Sequence, residues 1–175
     1  MPYALDTQVL RVLLAGARAG ESPCRLVWHR RRPALPKERS APGAEGLAPA
    51  DVVLVTHLSS DRLPRLGKLA AHWNGPVIAA VLLTGPRGCH PFVCDDAERP
   101  SRAAARRSCE ELCALVEADD SEARVEILLC EWRASGDAFY PVNVLRNLVL
   151  ARAKESFRFV FQLDVDFLPS PGLRR

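Results

Sequence analysis

Residues 157–166 read Phe-Arg-Phe-Val-Phe-Gln-Leu-Asp-Val-Asp, a largely apolar run that ends in two aspartates. The run over residues 157–163 predicts a strand, because continuous apolar stretches are typical of strands covered on both faces of a parallel sheet. Asp164 and Asp166 are separated by one residue, so an extended backbone directs both carboxylates to the same side. The stretch therefore predicts a strand that presents a pair of carboxylates at its end.

Further apolar runs alternate with amphipathic segments upstream of this strand. The additional predicted strands are residues 51–56, 77–83 and 124–130. The predicted helices run from Ser59 or Ser60 as the cap to residue 73, over residues 101–118, and over residues 142–154 with Pro141 at the start. This alternation implies right-handed crossovers, so we predict an α/β fold, a mainly parallel sheet with helices on both faces. Ligands of such sheets bind at the carboxyl ends of the strands.

The first part of the chain differs in character from the rest. Residues 33–49 are rich in proline, glycine, alanine and charge without periodicity, which indicates a linker. We therefore predict a poorly ordered or linker-rich segment over residues 1–49, with a short apolar helix at residues 9–15, and a folded unit over residues 50–175. No stretch is apolar for long enough to cross a bilayer, and the start lacks the order of a signal peptide.

Composition and charge argue against a nucleic-acid partner. The 175 residues are 48% hydrophobic and 26% charged, which is ordinary for a globular domain with one core. The formal net charge is only +3, and much of the positive charge lies in two short runs, residues 30–32 and 102–107. Because neither run is interleaved with aromatic residues, we expect solvated surfaces there.

The six cysteines do not have the spacing of a zinc site. Cys109 and Cys113 are four residues apart in a predicted helix, share one face, and are expected to be buried free thiols. Cys89 and Cys94 flank a proline-containing loop and are the better candidates for a disulfide bridge.

The aspartate pair suggests a divalent metal. Two neighbouring carboxylates repel each other unless a cation lies between them, and magnesium or manganese prefers oxygen ligands that it shares with substrate phosphates. With a nucleoside diphosphate sugar as substrate, the ion would neutralise charge on the departing diphosphate. Aspartates also end strands simply as good turn residues. The apolar residues on both sides of this pair favour the functional interpretation.

Two blocks of the chain resemble glycosyltransferase family forty-nine. One is Phe-Tyr-Pro-Val-Asn-Val-Leu-Arg-Asn at residues 139–147, followed by residues 159–169 around the aspartate pair. The other is residues 51–75, with the pattern Thr-x-Leu-Ser-x-Asp-Arg-Leu at residues 56–63. Two long motifs in the right order are far more specific than the aspartate pair alone.

The resemblance implies a GT-A fold, a Rossmann-like sheet that binds a UDP-sugar and a divalent cation, Mn²⁺ or Mg²⁺. The favoured donor is UDP-glucuronic acid, the acceptor a glycan or glycoprotein, and the location the Golgi lumen. The residues that it places at the donor are Thr56, His57, Leu58, Ser59, Arg146, Asn147, Asp164 and Asp166, the last two as metal ligands. Alternatives stay open: His57 as an incidental histidine, Arg146 paired with an acidic neighbour, and Asp61 with Arg62 as a solvated helix start.

Residues 167–175 are all that follow the aspartate pair, whereas the family has its acceptor half and catalytic base after it. We therefore expect a domain truncated after this strand, with no catalytic base assigned. A non-catalytic nucleotide-binding or structural fragment is the main alternative. A phosphatase of the haloacid dehalogenase type is disfavoured, because Leu168 stands where that class has Thr or Val. A sugar-nucleotide pyrophosphorylase would have a glycine-rich loop after its first strand.

Overall fold

The computed structural model describes residues 24–30, 52–83, 102–118, 123–132, 140–170 and 173. The strands are β1 (Cys24–Arg30), β2 (Val52–Ser59), β3 (Pro76–Leu82), β4 (Arg124–Trp132) and β5 (Phe159–Gln162). The α-helices are α1 (Leu63–Trp73), α2 (Arg102–Ala118) and α3 (Val142–Lys154). One turn of 3-10 helix, Ser60–Arg62, leads into α1. None of the helices in these ranges is both long enough and apolar enough to cross a bilayer.

The strands form one sheet in the order β1-β4-β3-β2-β5. The β2/β3, β3/β4 and β2/β5 pairs are parallel, and only β1 runs antiparallel, beside β4. The predicted mainly parallel α/β sheet is therefore confirmed. The chain proceeds outward from β2 through β3 to β4 and then returns to the other side of β2 as β5. The topological switch point of the sheet consequently lies between β2 and β5.

Helices cover both faces of the sheet, as predicted. On the face toward α1 and α2, the buried strand residues are Leu54, Leu58, Val77, Ala79, Val81, Val125, Ile127 and Leu129. On the face toward α3, they are Val53, Val55, Ile78, Ala80, Leu82, Leu128 and Cys130. Because successive side chains of a strand point to opposite faces, strands covered on both sides are largely apolar. β3 is apolar throughout, and β2 is apolar up to Val55 before Thr56 and His57.

Helix α1 shows how the local sequence builds this layer. Its apolar stripe is buried against the sheet and consists of Leu63, Leu66, Leu69, Ala70 and Trp73. Asn74 ends the helix in the left-handed region at φ 48°, and its N–H bonds the carbonyl of Ala70 at 2.9 Å. Ser59 stands at the predicted cap position, but its side chain makes no capping hydrogen bond, because a 3-10 turn intervenes before the helix.

Strand β1 was not predicted, and it lies ahead of the boundary placed at residue 50. Its sequence, Cys-Arg-Leu-Val-Trp-His-Arg, mixes polar and apolar residues because an edge strand is covered incompletely. The register with β4 shifts between Leu26 and Trp28, as in a β-bulge. The folded sheet therefore begins within the segment predicted to be linker-rich. The predicted helix at residues 9–15 lies outside the described residues.

Two arginines of α2 form ion pairs with glutamates. Arg102 bonds Glu131 at 2.7 Å, and Arg106 bonds Glu110 at 2.8 Å. The Arg106 guanidinium also lies 5.8 Å from the centre of the Trp28 ring. The charges of Arg102 and Arg106 are thus paired on the surface.

A charged network is buried between α3 and the sheet. Arg152 donates to both carboxylate oxygens of Glu126, at 2.6 and 3.1 Å, and both residues are buried. His29 Nε2 lies 2.6 Å from the same carboxylate. A bidentate guanidinium contact offsets the cost of burying the Glu126 charge. Glu126 is near the start of β4, so this network lies toward the amino ends of the parallel strands.

The thiols of Cys109, Cys113 and Cys130 are buried and form no disulfide. Cys109 and Cys113 are buried on one face of α2, which confirms their prediction, and Cys130 is buried in β4. Burial, reinforced by Cys113 and Glu110, raises the pKa of Cys109 to about 12. Cys89 and Cys94 lie outside the described residues.

Candidate functional site

The predicted site lies where the carboxyl ends of β2 and β5 meet. These strands pair in parallel from Val52↔Phe159 to Val55↔Gln162, and the N–H of Leu163 bonds the carbonyl of Val55 at 3.1 Å. The segment after β5 therefore begins beside the last residues of β2. This edge is also the switch point, where open α/β sheets bind their ligands.

The two aspartates lie in a hydrogen-bonded turn. The N–H of Asp166 bonds the Asp164 carboxylate at 3.2 Å, and the N–H of Phe167 bonds the Asp164 carbonyl at 3.0 Å. Val165 between them is buried in the core under α1 and α2. The expectation of an extended backbone at this point is wrong, since β5 ends at Gln162 and the backbone turns over residues 164–167. The turn fixes the Asp164 side chain against the backbone of Asp166.

Two arginines bind the carboxylate of Asp166. Arg62 Nη1 donates to Oδ2 at 2.5 Å, and Arg65 Nη1 donates to Oδ1. Arg62 ends the 3-10 turn and Arg65 lies in the first turn of α1, so the segment after β2 supplies both. The Asp166 side chain is 35% exposed, and the two arginines are 44% and 57% exposed. Solvent therefore reaches all three groups.

His57 joins β2 to α3. Its Nε2 accepts a hydrogen bond of 3.2 Å from Arg146 Nε, and its Nδ1 lies 3.4 Å from the hydroxyl of Tyr140. Because Arg146 is a donor only, Nε2 must be unprotonated, and the ring proton of neutral His57 lies on Nδ1. Burial first, and then the charge of Arg146, lowers the pKa of His57, while Asp164 opposes the change. His57 is thus a neutral imidazole at pH 7.

Tyr140 precedes α3 and lies over the same end of β2. Its ring centre is 5.7 Å from that of His57, with the planes tilted by 41°. Burial is the main cause that raises the pKa of its hydroxyl; Arg62 opposes this change, and Asp164 adds to it. The hydroxyl therefore remains protonated at physiological pH. Tyr140 and Asp164 influence each other electrostatically, which places the tyrosine among the charged groups of the site.

The predicted residues are not all brought together. His57, Arg146 and Asp164 interact, whereas Asn147 is exposed on α3. Leu58 is buried in the core under α1 and α2, and Ser59 is half-buried at the end of β2. Thr56 is buried, and its hydroxyl has no hydrogen-bond partner among the described residues. Among the predicted residues of β2, His57 is the one whose side chain contacts other residues of the site.

Three residues of the site were not predicted as binding residues: Arg62, Arg65 and Tyr140. Arg62 belongs to a quoted motif but was weighed as part of a solvated helix start, and Tyr140 stands in the other quoted block without an assigned role. A usable signal was the spacing of Arg62 and Arg65, which puts both guanidinium groups on one side of a helix start. That start follows the first predicted strand, so it had to lie at the carboxyl edge.

The donor atoms present fit a magnesium or manganese ion that shares its coordination with a ligand. Within the described ranges, no cluster of three or more His, Cys, Asp or Glu side chains is arranged to hold a metal. Asp164 and Asp166 supply carboxylate oxygens, and ions of this kind are commonly held by one or two carboxylates together with substrate phosphates and water. The pair suits an ion that arrives with a phosphate-bearing substrate.

Comparisons with known proteins identify the family of the chain. Residues 89–175 match the family described as glycosyl-transferase for dystroglycan. Xylosyl- and glucuronyltransferase LARGE2s of Gallus gallus is 34% identical over 125 residues, which cover 71% of this chain and 14% of that protein. Beta-1,4-glucuronyltransferase 1 of Homo sapiens is 31% identical over an alignment 157 residues long that covers 73% of this chain and 35% of that protein. The matched segments thus make up well under half of each relative's length. The chain belongs to the family described as glycosyl-transferase for dystroglycan.

Proposed function

We propose that residues 50–175 are the donor-binding part of a GT-A glycosyltransferase, a Rossmann-like domain that binds a UDP-sugar with Mn²⁺ or Mg²⁺. The observation that carries this proposal is the position of Asp164 and Asp166 at the switch point between β2 and β5. Relatives named as glucuronyltransferases support UDP-glucuronic acid as the donor and a glycan or glycoprotein as the acceptor. As part of the same proposal, the protein acts in the Golgi lumen.

Asp164 and Asp166 are the residues that would hold the metal. When bound, the ion would supply positive charge to the departing diphosphate. Asp164 is already oriented by the N–H of Asp166, so one carboxylate is preorganised for this purpose. The carboxylate of Asp166 is held by two arginines, whose positive charge competes with that of the ion.

The end of β2 is proposed to lie beside the uridine. Thr56 and Leu58 point toward the core under α1 and α2, so we assign the contacts of this segment to its backbone and to the half-buried Ser59. His57 points to the opposite face and holds Arg146. The segment thus serves both as a nucleotide contact and as support for a cation.

Arg146 and Asn147 are proposed to contact the sugar or phosphates of the donor. Arg146 uses Nε to bond His57, which leaves the two terminal nitrogens of its guanidinium directed elsewhere. A planar guanidinium can form a two-pronged contact with a carboxylate, such as that of a glucuronate. Asn147 is exposed next to it and supplies an amide donor and acceptor.

Calorimetric titration with UDP, in the presence and absence of manganese, tests the proposal. The variant is Asp164→Asn/Asp166→Asn, and the control is Glu111→Gln, which removes an exposed carboxylate from α2. We expect manganese-dependent UDP binding by the wild type and the control, and its loss in the double variant. Circular dichroism establishes that each protein is folded. Absence of UDP binding by the folded wild type would favour a non-catalytic structural domain.

A further inference from the structure

Arg62 and Arg65 together engage both oxygens of one carboxylate. Each donates through Nη1, one to Oδ2 and the other to Oδ1 of Asp166. Two positive charges thus face one negative charge, although a single bidentate arginine is enough to satisfy a carboxylate. The pair supplies more positive charge than Asp166 alone requires.

Much of the hydrogen-bonding capacity of these arginines is not used within the described part of the chain. A guanidinium has five N–H donors, and the contact with Asp166 uses one donor from each arginine. Their side chains are 44% and 57% exposed. Both can therefore contact an anion that reaches this edge of the sheet.

Asp166 is also one of the two residues assigned to the metal. A divalent ion at this carboxylate would lie close to two guanidinium charges, one at each oxygen, so the ion and the arginines compete for Asp166. A guanidinium displaced by the ion then needs another anion, and the diphosphate that accompanies the ion supplies one. The two contacts with Asp166 thus explain both why the arginines compete with the metal and how the diphosphate can take the place of Asp166.

We infer that Arg62 and Arg65 bind the diphosphate of the donor and exchange it for Asp166, so that metal and nucleotide binding are coupled. Each arginine weakens the binding of manganese alone, because it competes for Asp166. Each strengthens the binding of UDP in the presence of manganese, because it contacts the phosphates. Coupling of this kind is reciprocal, so UDP raises manganese affinity as much as manganese raises UDP affinity. This inference rests on the proposed function.

The test measures both ligands on Arg62→Gln, Arg65→Gln and the double variant. Manganese alone is followed by the loss of its free-ion electron paramagnetic resonance signal, and UDP is titrated calorimetrically at saturating manganese. The control is Lys68→Gln, which removes an exposed positive charge one turn farther along α1. We expect tighter manganese binding without UDP, and UDP binding weaker by about tenfold or more for each arginine removed. The control should change neither.

When an arginine is removed, the affinity for manganese alone must rise and the affinity for UDP at saturating manganese must fall. If the arginines only stabilise the turn that holds Asp166, both affinities fall together and the inference is wrong. It is also wrong if the wild type binds UDP with manganese and the variants bind both ligands equally well. A wild type that binds no UDP overturns the proposed function, and this inference with it.

Lysine variants keep the test decisive if the glutamine variants do not fold. Arg62→Lys and Arg65→Lys retain the positive charge but lose the planar fork that matches phosphate oxygens. We expect both to fold and to bind UDP more weakly than the wild type at saturating manganese. Unchanged UDP affinity in both lysine variants would contradict a specific phosphate contact.

Discussion

Arg146 Nε donates a hydrogen bond of 3.2 Å to Nε2 of His57, and this bond connects helix α3 to the end of strand β2. The bond requires an unprotonated Nε2, so protonation of His57 would break it and place two positive charges side by side. The groups that face His57 are Arg146, the hydroxyl of Tyr140 and, at longer range, Asp164. Neutral His57 is therefore part of the folded arrangement of the site.

Stability should depend on pH through His57. Its pKa in the folded protein is lowered, whereas the unfolded chain titrates near the ordinary value of 6.5. Below 6.5 the unfolded state binds more protons, so this contribution is fully present above 6.5 and is lost as pH falls toward the lowered value. Urea unfolding of the wild type and His57→Gln between pH 5 and pH 7 measures the difference. The control is His72→Gln, at an exposed histidine of α1; a wild-type pH dependence that survives in His57→Gln would contradict this prediction.

Removal of Arg152 should destabilise the fold strongly. The substitution Arg152→Met leaves the Glu126 carboxylate buried with only His29 as a described partner. Breaking a buried ion pair in this way costs about 3 kcal/mol, the lower end of the usual range because His29 stays. Urea denaturation gives the free energy of unfolding. Arg158→Met, at an exposed arginine before β5, is the matched control and should change it by less than about 0.5 kcal/mol.

The layer under α1 and α2 should be sensitive to cavities. Leu66 is fully buried between α1 and the sheet, so Leu66→Ala removes packed atoms and should cost about 2–5 kcal/mol. Leu115→Ala is the same substitution on α2 at a side chain that is 73% exposed, and it should be nearly neutral. Thermal or urea unfolding of both variants checks this difference. Equal costs would show that this helical layer packs differently.

The thiol of Cys109 should react slowly in the folded protein. Burial raises its pKa to about 12, so only a very small fraction is thiolate at pH 8, and solvent does not reach the sulfur. Iodoacetamide labelling at pH 8, followed by peptide mass spectrometry, should modify the Cys109 peptide in urea but not in native buffer. Rapid native labelling of this peptide would mean that α2 detaches readily from the core.

Local patterns predicted most of the sheet. The bounds of α3 agree with the structure, because Pro141 and the apolar stripe of the helix are local signals. Strand β1 escaped prediction, since only its pairing with β4 makes its mixed sequence a strand. β5 is shorter than predicted because only Phe159–Gln162 pair with β2. The turn that follows buries Val165 in the core, a contact that no local pattern predicts.

The site could be predicted in location but not in its contacts. From sequence alone, the aspartate pair and the alternation of strands with helices predict a site at the carboxyl ends of the strands. The bonds from Arg62 and Arg65 to Asp166 join residues 104 and 101 positions apart, and no periodicity predicts which distant groups meet. The same holds for His57 and Arg146, which are 89 positions apart.

Helix α3 is anchored to the sheet by polar contacts near both of its ends. Arg146 holds the end of β2 near the start of the helix, and Arg152, nearly two turns later, holds Glu126 near the start of β4. Sliding or rotation of α3 would have to break one of these contacts in a buried or partly buried setting. A ligand that binds Arg146 should therefore rearrange side chains without moving the backbone of α3.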